Sequence, residues 1–99
     1  MKIEVKTLPD FDEWLDSLDR SPEVRVLARI SRLREDAYLG DHKRFEGLLE
    51  LRFDNGLRIY ALEHAPNLYL LLGGGKRGQT RDIEKAKALA EDLRKKLGR

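Results

Sequence analysis

The sequence predicts an α+β fold, with a helical hairpin and a C-terminal helix packed on a small, mainly antiparallel sheet. The expected order is β-α-α-β-β-β-α. Three observations carry that expectation. The chain has 99 residues, enough for one modest core and too few for a second. Its apolar residues recur with period two near the N-terminus and between residues 48 and 72, and with helical spacing elsewhere. Turn signals separate these stretches at Pro9-Asp10, Ser21-Pro22, Gly40, Asp54-Asn55-Gly56 and Ala65-Pro66-Asn67. The sequence contains no internal repeat, linker or low-complexity run, so residues 1–99 are expected to form one domain.

Residues 2–8 alternate Ile3 and Val5 with polar neighbours, a short strand pattern. Pro9 and Asp10 then open a helix with Phe11, Trp14, Leu15 and Leu18 on its apolar side. Pro9 suits the first turn, where a missing N–H costs nothing. Ser21, Pro22 and Glu23 restart the pattern as N-cap, first helical residue and acidic first turn. Val24, Leu27, Ala28, Ile30, Leu33 and Ala37 are expected on the buried side of this second helix. Arg25, Arg29, Arg32 and Arg34 fall on its wetter side, and Gly40 is expected to end it.

From Leu48 onwards, Leu49, Leu51 and Phe53 alternate with Leu48, Glu50 and Arg52. Beyond the turn, Leu57, Ile59 and Ala61 alternate with Arg58, Tyr60 and Leu62. A two-residue loop at Asn55-Gly56 would oppose Phe53 and Arg58, mixing apolar and charged side chains on one face. A three-residue loop, residues 54–56, pairs Phe53 with Leu57, Leu51 with Ile59 and Leu49 with Ala61, which keeps one face apolar. On the other face this register opposes Arg52 to Arg58 and Glu50 to Tyr60. Opposed like charges destabilise a sheet, so Glu50 or an external anion must neutralise the arginine pair.

Residues 68–72 are a nearly unbroken apolar run, the pattern of an interior strand covered on both faces. Gly73-Gly74-Gly75 is expected to break that strand, followed by Lys76 and Arg77. Gln79 or Thr80 starts the last helix, whose apolar stripe is Ile83, Ala86, Ala90, Leu93 and Leu97. Lys95, Lys96 and Arg99 suit the negative end of its dipole.

Composition narrows the chemistry. Twenty Lys and Arg oppose eighteen Asp and Glu, for a net charge of +2, but the distribution is uneven. Residues 1–23 hold seven acids against three bases, so residues 24–99 carry +6. Twelve of the bases are Arg, the side chain suited to bidentate phosphate contacts. No apolar run approaches the ~20 residues of a membrane span, and residues 1–10 lack a signal core. A cytoplasmic protein without a membrane partner is expected. The chain has no cysteine, which removes thiol nucleophiles and Cys-based zinc sites.

His42 and His64 lie far apart, in expected loops, and no metal-ligand spacing occurs, so no metal or cofactor is expected. No GxSxG motif is present. The segment GGGKRGQT fails as a P-loop, because Arg77 follows Lys76 where Ser or Thr is needed. It offers instead a turn with free N–H groups, two cations and a helix N-terminus, all favourable to an anion. The loop leaves the strand that neighbours Arg52 and Arg58, so Lys76 and Arg77 are expected to converge with that pair. Such cations suit a phosphodiester, where they stabilise the extra charge of a pentacoordinate phosphorane.

On these residues the sequence resembles the RelE/ParE superfamily of toxin–antitoxin toxins. It is most similar to the RelE-like addiction-module killer branch related to the HigB toxins. The resemblance spans essentially the whole chain and rests on Phe11-x-x-Trp14-Leu15, Gly40-Asp41-x-Lys43, Glu50-Leu51-Arg52 and Arg58-Ile59-Tyr60. Its strongest part is Leu71-Leu72-Gly73-Gly74-x-Lys76-x-x-Gln79-x-x-Asp82-Ile83-x-x-Ala86. The resemblance implies a RelE-like fold and a type II toxin that cuts mRNA in the ribosome, held inactive by a cognate antitoxin. In such an enzyme the nucleotide's 2′-hydroxyl attacks the next phosphate, without a cofactor.

Carried onto this chain, the resemblance implies catalytic roles for Arg58, Lys76, Arg77 and Glu50. Arg58 and Arg77 clamp the scissile phosphate, Lys76 stabilises charge or protonates the leaving oxygen, and Glu50 is a base or a counter-ion. Lys43, Arg52, Tyr60 and Gln79 are the implied RNA-binding positions, Tyr60 either stacking on a base or packed. Two positions depart from the pattern: Ile83 stands where some relatives carry a catalytic tyrosine, and Gly75 replaces an aspartate. The implied antitoxin is a helix-turn-helix protein, and operator DNA is reached only through it. Two other functions fit the same resemblance, a ParE-like gyrase inhibitor and a degenerate toxin acting only as an antitoxin-binding corepressor.

Overall fold

The computed structural model describes residues 3–98, which form eight elements. These are β1 (Glu4–Thr7), α1 (Pro9–Asp16), α2 (Arg20–Asp36), β2 (His42–Phe45), β3 (Leu48–Arg52), β4 (Arg58–His64), β5 (Asn67–Gly74) and α3 (Gln79–Lys96). The strands form one sheet in the order β1-β5-β4-β3-β2, with β1 parallel to β5 and the other pairs antiparallel. The α+β architecture is as expected, with one strand more than the hydrophobic period signals. That strand, β2, lies at the sheet edge with His42, Lys43 and Arg44 exposed. An edge strand needs no apolar alternation, and its charges guard against stray pairing. His42 therefore starts β2 and His64 ends β4, so neither stands in a loop. Lys2 and Arg99, assigned above to the first strand and the last dipole, lie outside the described residues.

Each face of the sheet carries its own apolar cluster. Phe11, Val26, Ile30 and Leu33 of α1 and α2 pack on Leu49, Leu51, Ile59, Ala61, Leu68 and Leu70. On the opposite face, Ala86 and Ala90 of α3 pack on Leu48, Tyr60, Leu62, Leu71 and Leu72. The three-residue hairpin loop and its register are present, with Leu49 opposite Ala61, Leu51 opposite Ile59, and the Phe53 N–H donating to the Leu57 carbonyl. Gly56 has φ +91°, the left-handed conformation this loop requires.

β5 supplies both clusters by alternation, and a slip in its pairing with β4 adds Leu72 beside Leu71 on the α3 side. Tyr60 faces Leu72 but Ala61 faces Leu70, leaving Leu71 as the extra residue of a bulge. The glycines that follow do not break the strand, which runs through Gly74. They mark close approaches instead. A Cβ on Gly73 would lie 2.1 Å from the Trp14 ring, and one on Gly74 would lie 2.1 Å from the Asp82 carboxylate. At Gly75 a Cβ would meet nothing within 4 Å.

α2 departs from its expected geometry at both ends and in its buried stripe. It starts at Arg20 with Asp19 as N-cap, two residues before Ser21, and ends at Ala37 with φ +54° rather than at Gly40. Val26, Ile30 and Leu33 are buried, while Val24 and Leu27 are about half exposed. The helix carries two apolar stripes, and the side chosen is the one that also brings Arg29 inward. Arg29 donates to the carbonyls of Leu39, Asp41 and Arg52 at 2.6–3.1 Å and stacks over Phe53 at 4.7 Å. Burial lowers its pKa from the ordinary arginine value. A Cβ on Gly40 would crowd that guanidinium at 3.0 Å, which explains this glycine better than a helix stop does.

Candidate functional site

The β3–β4 register sets two rows of side chains on the face that α3 covers. Lys43, Glu50, Tyr60 and Leu72 form one row, and Arg52, Arg58 and Gly74 form the next, towards the hairpin turn. α3 begins at Gln79, so its apolar stripe covers the first row and leaves the arginine row at the helix N-terminus. Gly78, the N-cap, has φ +75° and no side chain to satisfy the first-turn N–H groups. Those donors and the positive end of the helix dipole face the same region as the arginines.

Glu50 organises the cluster. It is the buried charged residue of the core, at 1% exposure. Its Oε1 accepts from Arg52 Nε at 3.1 Å, and its Oε2 lies 3.5 Å from an Arg58 guanidinium nitrogen. Gln79 Nε2 donates to Oε2 at 3.4 Å. One buried carboxylate thus holds two guanidinium groups and the first residue of α3. A carboxylate buried and paired in this way is a counter-ion that fixes its partners' positions. The Arg58 side chain is 18% exposed and Arg52's 35%, so both keep a face towards solvent. Arg58 Nε is buried and has no hydrogen-bond partner among the described residues.

The structure therefore brings Glu50, Arg52, Arg58 and Gln79 into contact. Lys76 lies by the hairpin tip, where a Cβ on Gly56 would lie 3.9 Å from the Lys76 Cβ. Lys76 and Arg77 are exposed in the loop between β5 and α3, and no ion pair engages either among the described residues. Lys43 stands beside Glu50 in register, but its ammonium lies over the Phe45 ring at 5.6 Å.

Tyr60 corrects the stacking assignment. It is fully buried beneath α3 and offers no ring face to a base. Its hydroxyl has no hydrogen-bond partner among the described residues. Burial, followed by the neighbouring charges of Glu50 and Asp82, pushes its pKa up to about 12. Asp82 is the residue the sequence assignments omitted, although it lies within the C-terminal motif. Its carboxylate rests against Gly74, and burial raises its pKa above the ordinary carboxyl value against the pull of Arg81 and Lys85. An acid one turn inside a helix reads as a dipole partner, which hides the contact with the glycine. Ile83 packs partly buried against the second apolar cluster.

Volume alone would direct attention elsewhere. A cavity of about 410 Å³ at the far end of the sheet is lined by Ile3, Leu39, Ala65, Pro66 and Leu68 and contains none of these cations. Charge and register, not volume, mark the cation cluster at the start of α3. No helix among the described residues is long and apolar enough to cross a membrane.

No family model matches the chain. Its sequence is 40% identical over 98 residues to an uncharacterized protein of Haemophilus influenzae, covering 94% of this chain and 98% of that one. The fold is similar to the RelB–RelE antitoxin–toxin complex of Methanococcus jannaschii, with TM-score 0.66 and 12% identity over 77% of this chain and 95% of that chain. The RelBE2 toxin–antitoxin complex of Mycobacterium tuberculosis gives TM-score 0.62 and 15% identity, covering 76% and 99%. The archaeal RelE–RelB complex of Pyrococcus horikoshii gives TM-score 0.62 and 16% identity, covering 78% and 98%. The chain has a RelE-like fold.

Proposed function

We propose that this chain, which belongs to one family with the Haemophilus influenzae protein, is the toxin of a toxin–antitoxin pair and cleaves mRNA in the ribosome. The observation that carries this reading is the opposed pair Arg52 and Arg58, held by the buried Glu50 at the uncapped N-terminus of α3. One carboxylate facing two guanidinium groups, with Lys76 and Arg77 beyond it, leaves cations in excess where helix N–H groups also point. That combination is complementary to a phosphodiester. The RelE-like fold and the complexes formed by its structural neighbours support an antitoxin as the partner. The C-terminal motif supports the HigB-related branch, where a helix-turn-helix antitoxin carries the pair to operator DNA.

In the proposed reaction the 2′-hydroxyl of one nucleotide gives its proton to water as its oxygen bonds to the adjacent phosphorus, and the bond from phosphorus to the 5′-oxygen breaks. The products are a 2′,3′-cyclic phosphate and a 5′-hydroxyl. Arg58 and Arg77 hold the non-bridging oxygens as charge grows on them, and Lys76 supplies the proton to the leaving 5′-oxygen. Arg52 and Lys43 hold flanking phosphates, while Gln79 joins the helix start to Glu50. Glu50 serves as counter-ion. Asp82 rests against Gly74 at the start of the same helix, and burial raises its pKa above the ordinary carboxyl value. In-line positioning and charge stabilisation supply the acceleration.

Primer extension on cellular mRNA after induction tests the reading. New 5′ ends inside translated codons are expected, together with growth arrest that the cognate antitoxin relieves. Arg58→Ala should lower cleavage by about a hundredfold, the usual loss when one donor to a developing oxyanion is removed. Growth arrest with intact transcripts would reject the nuclease. A gyrase-inhibiting toxin would then be indicated by loss of supercoiling activity, and a corepressor by absence of arrest.

A further inference from the structure

A second basic concavity lies beside the hairpin turn, on the α2 side of β3. Its volume is about 370 Å³, the size of a small-ligand site, and Arg25, Arg32, Tyr38 and Phe53 line it. The Arg29 guanidinium belongs to its wall but is occupied by three backbone carbonyls. Arg32 differs from Arg29. It lies over the Tyr38 ring at 4.1 Å and forms no ion pair among the described residues, so its donors remain open to a ligand. Tyr38 is 46% exposed, one of three large apolar side chains left open to solvent among the described residues. Arg25 pairs with Asp54, but both are substantially exposed and the pair can exchange for another anion. Asp54 and Asp41 are the acids at the rim, against four arginines.

The combination is informative because each part alone has a simpler account. Inorganic anions need no exposed ring, and an apolar peptide needs no open guanidinium. An exposed Tyr–Arg stack beside a second arginine suits a ligand with a flat base and a phosphate. The concavity also adjoins the cleft. Arg52 accepts from Arg29 through its carbonyl and donates to Glu50 through its side chain, so one residue forms part of both.

We propose that this concavity holds one unpaired nucleotide of the RNA strand that runs through the cleft, its base on the Tyr38–Arg32 stack and its phosphate between Arg25 and Arg32. The inference rests on the RNA-cleaving reading of the cleft and extends it to a flanking subsite that sets how much of the strand is gripped.

The test is fluorescence anisotropy with 2′-O-methyl RNA, which cannot be cut because the attacking hydroxyl is blocked. Strands of about four and about ten nucleotides are compared, spanning the range of single-strand site sizes. The unaltered protein should bind the longer strand more tightly. Tyr38→Ala and Arg32→Ala should each weaken the longer strand about five- to tenfold, as expected for loss of one stacked base. Neither should change the shorter one more than about twofold, and Tyr38→Phe should bind both strands like the unaltered protein. Arg32→Ala should also reduce the salt dependence by about one phosphate contact.

Equal binding of the two lengths by the unaltered protein overturns the proposal. So does full binding of the longer strand by Tyr38→Ala and Arg32→Ala while Arg58→Ala weakens both lengths; the cleft reading then survives alone. If Arg58→Ala weakens neither length, the cleft reading fails and the subsite fails with it. If the two substitutions reduce antitoxin binding but leave RNA binding unchanged, the concavity belongs to a protein partner and the proposal is wrong.

Discussion

Arg29 and Arg58 lie on opposite sides of the same sheet end, and they show two uses of one side chain. Arg29 spends its donors on the carbonyls of Leu39, Asp41 and Arg52, so it ties α2 to the end of β3 and has little left to offer. Arg58 is held by one carboxylate at 3.5 Å, and its side chain stays 18% exposed. A guanidinium satisfied by carbonyls is structural. One pinned by a buried acid, with part of its side chain exposed, can also meet an anion from outside. The faces behind them differ too, since the α1–α2 face keeps Leu51 and Ile59 apolar up to the hairpin while the α3 face exchanges its apolar row for Arg52 and Arg58 there.

Substitutions can break this contrast in order of size. Gly73→Ala drives a Cβ to within 2.1 Å of the Trp14 ring on the apolar face, and a rigid indole cannot yield easily. A loss of about 3 kcal/mol is expected in urea denaturation. Gly75→Ala, with nothing within 4 Å, should change stability by no more than about 0.5 kcal/mol in the same assay. Glu50→Gln leaves Arg52 and Arg58 opposed without a countercharge. It should cost about 2 kcal/mol, discounted from a fully buried pair because both arginines touch solvent. A shallower denaturation loss accompanied by full RNA cleavage would show that the carboxylate does not position the pair.

Arg29→Lys should cost about 1–2 kcal/mol, since an ammonium cannot span three carbonyls. Cleavage per folded molecule should not change, which separates this arginine from Arg58. The remaining expected effect is a pH dependence. Tyr60 ionises near pH 12 in the folded chain against an ordinary value of 10.0, so the folded state holds the proton more tightly. Stability is then retained below pH 10 and lost as pH rises towards 12. Tyr60→Phe should remove that component from alkaline denaturation curves, and an unchanged curve would show that the phenol ionises freely.

Much of this was legible beforehand, for identifiable reasons. The β3–β4 register follows from alternation and one turn, because only one loop length keeps Leu49, Leu51, Ile59 and Ala61 on a common face. The opposition of Arg52 and Arg58 follows from that register with no further information. By contrast β2 was hidden, because an edge strand of His, Lys and Arg has no apolar period. The buried stripe of α2 was hidden because Val24 and Leu27 are as apolar as Val26 and Ile30, and only contact with the sheet selects between them. Asp82, Tyr60 and the glycines belong to the same class. Their roles depend on what approaches them across the fold, and a one-dimensional pattern does not record that.

The sequence by itself determined the periodicities, the hairpin register and the charge pairs that register imposes, because these arise between residues close along the chain. Only the tertiary structure decided which stripe of α2 is buried, that Arg29 is spent on carbonyls, and that α3 begins where the arginine row ends. Those outcomes depend on packing and desolvation between distant segments. The same difference explains why Glu50, read from sequence as a base or a counter-ion, is a buried counter-ion in the folded protein.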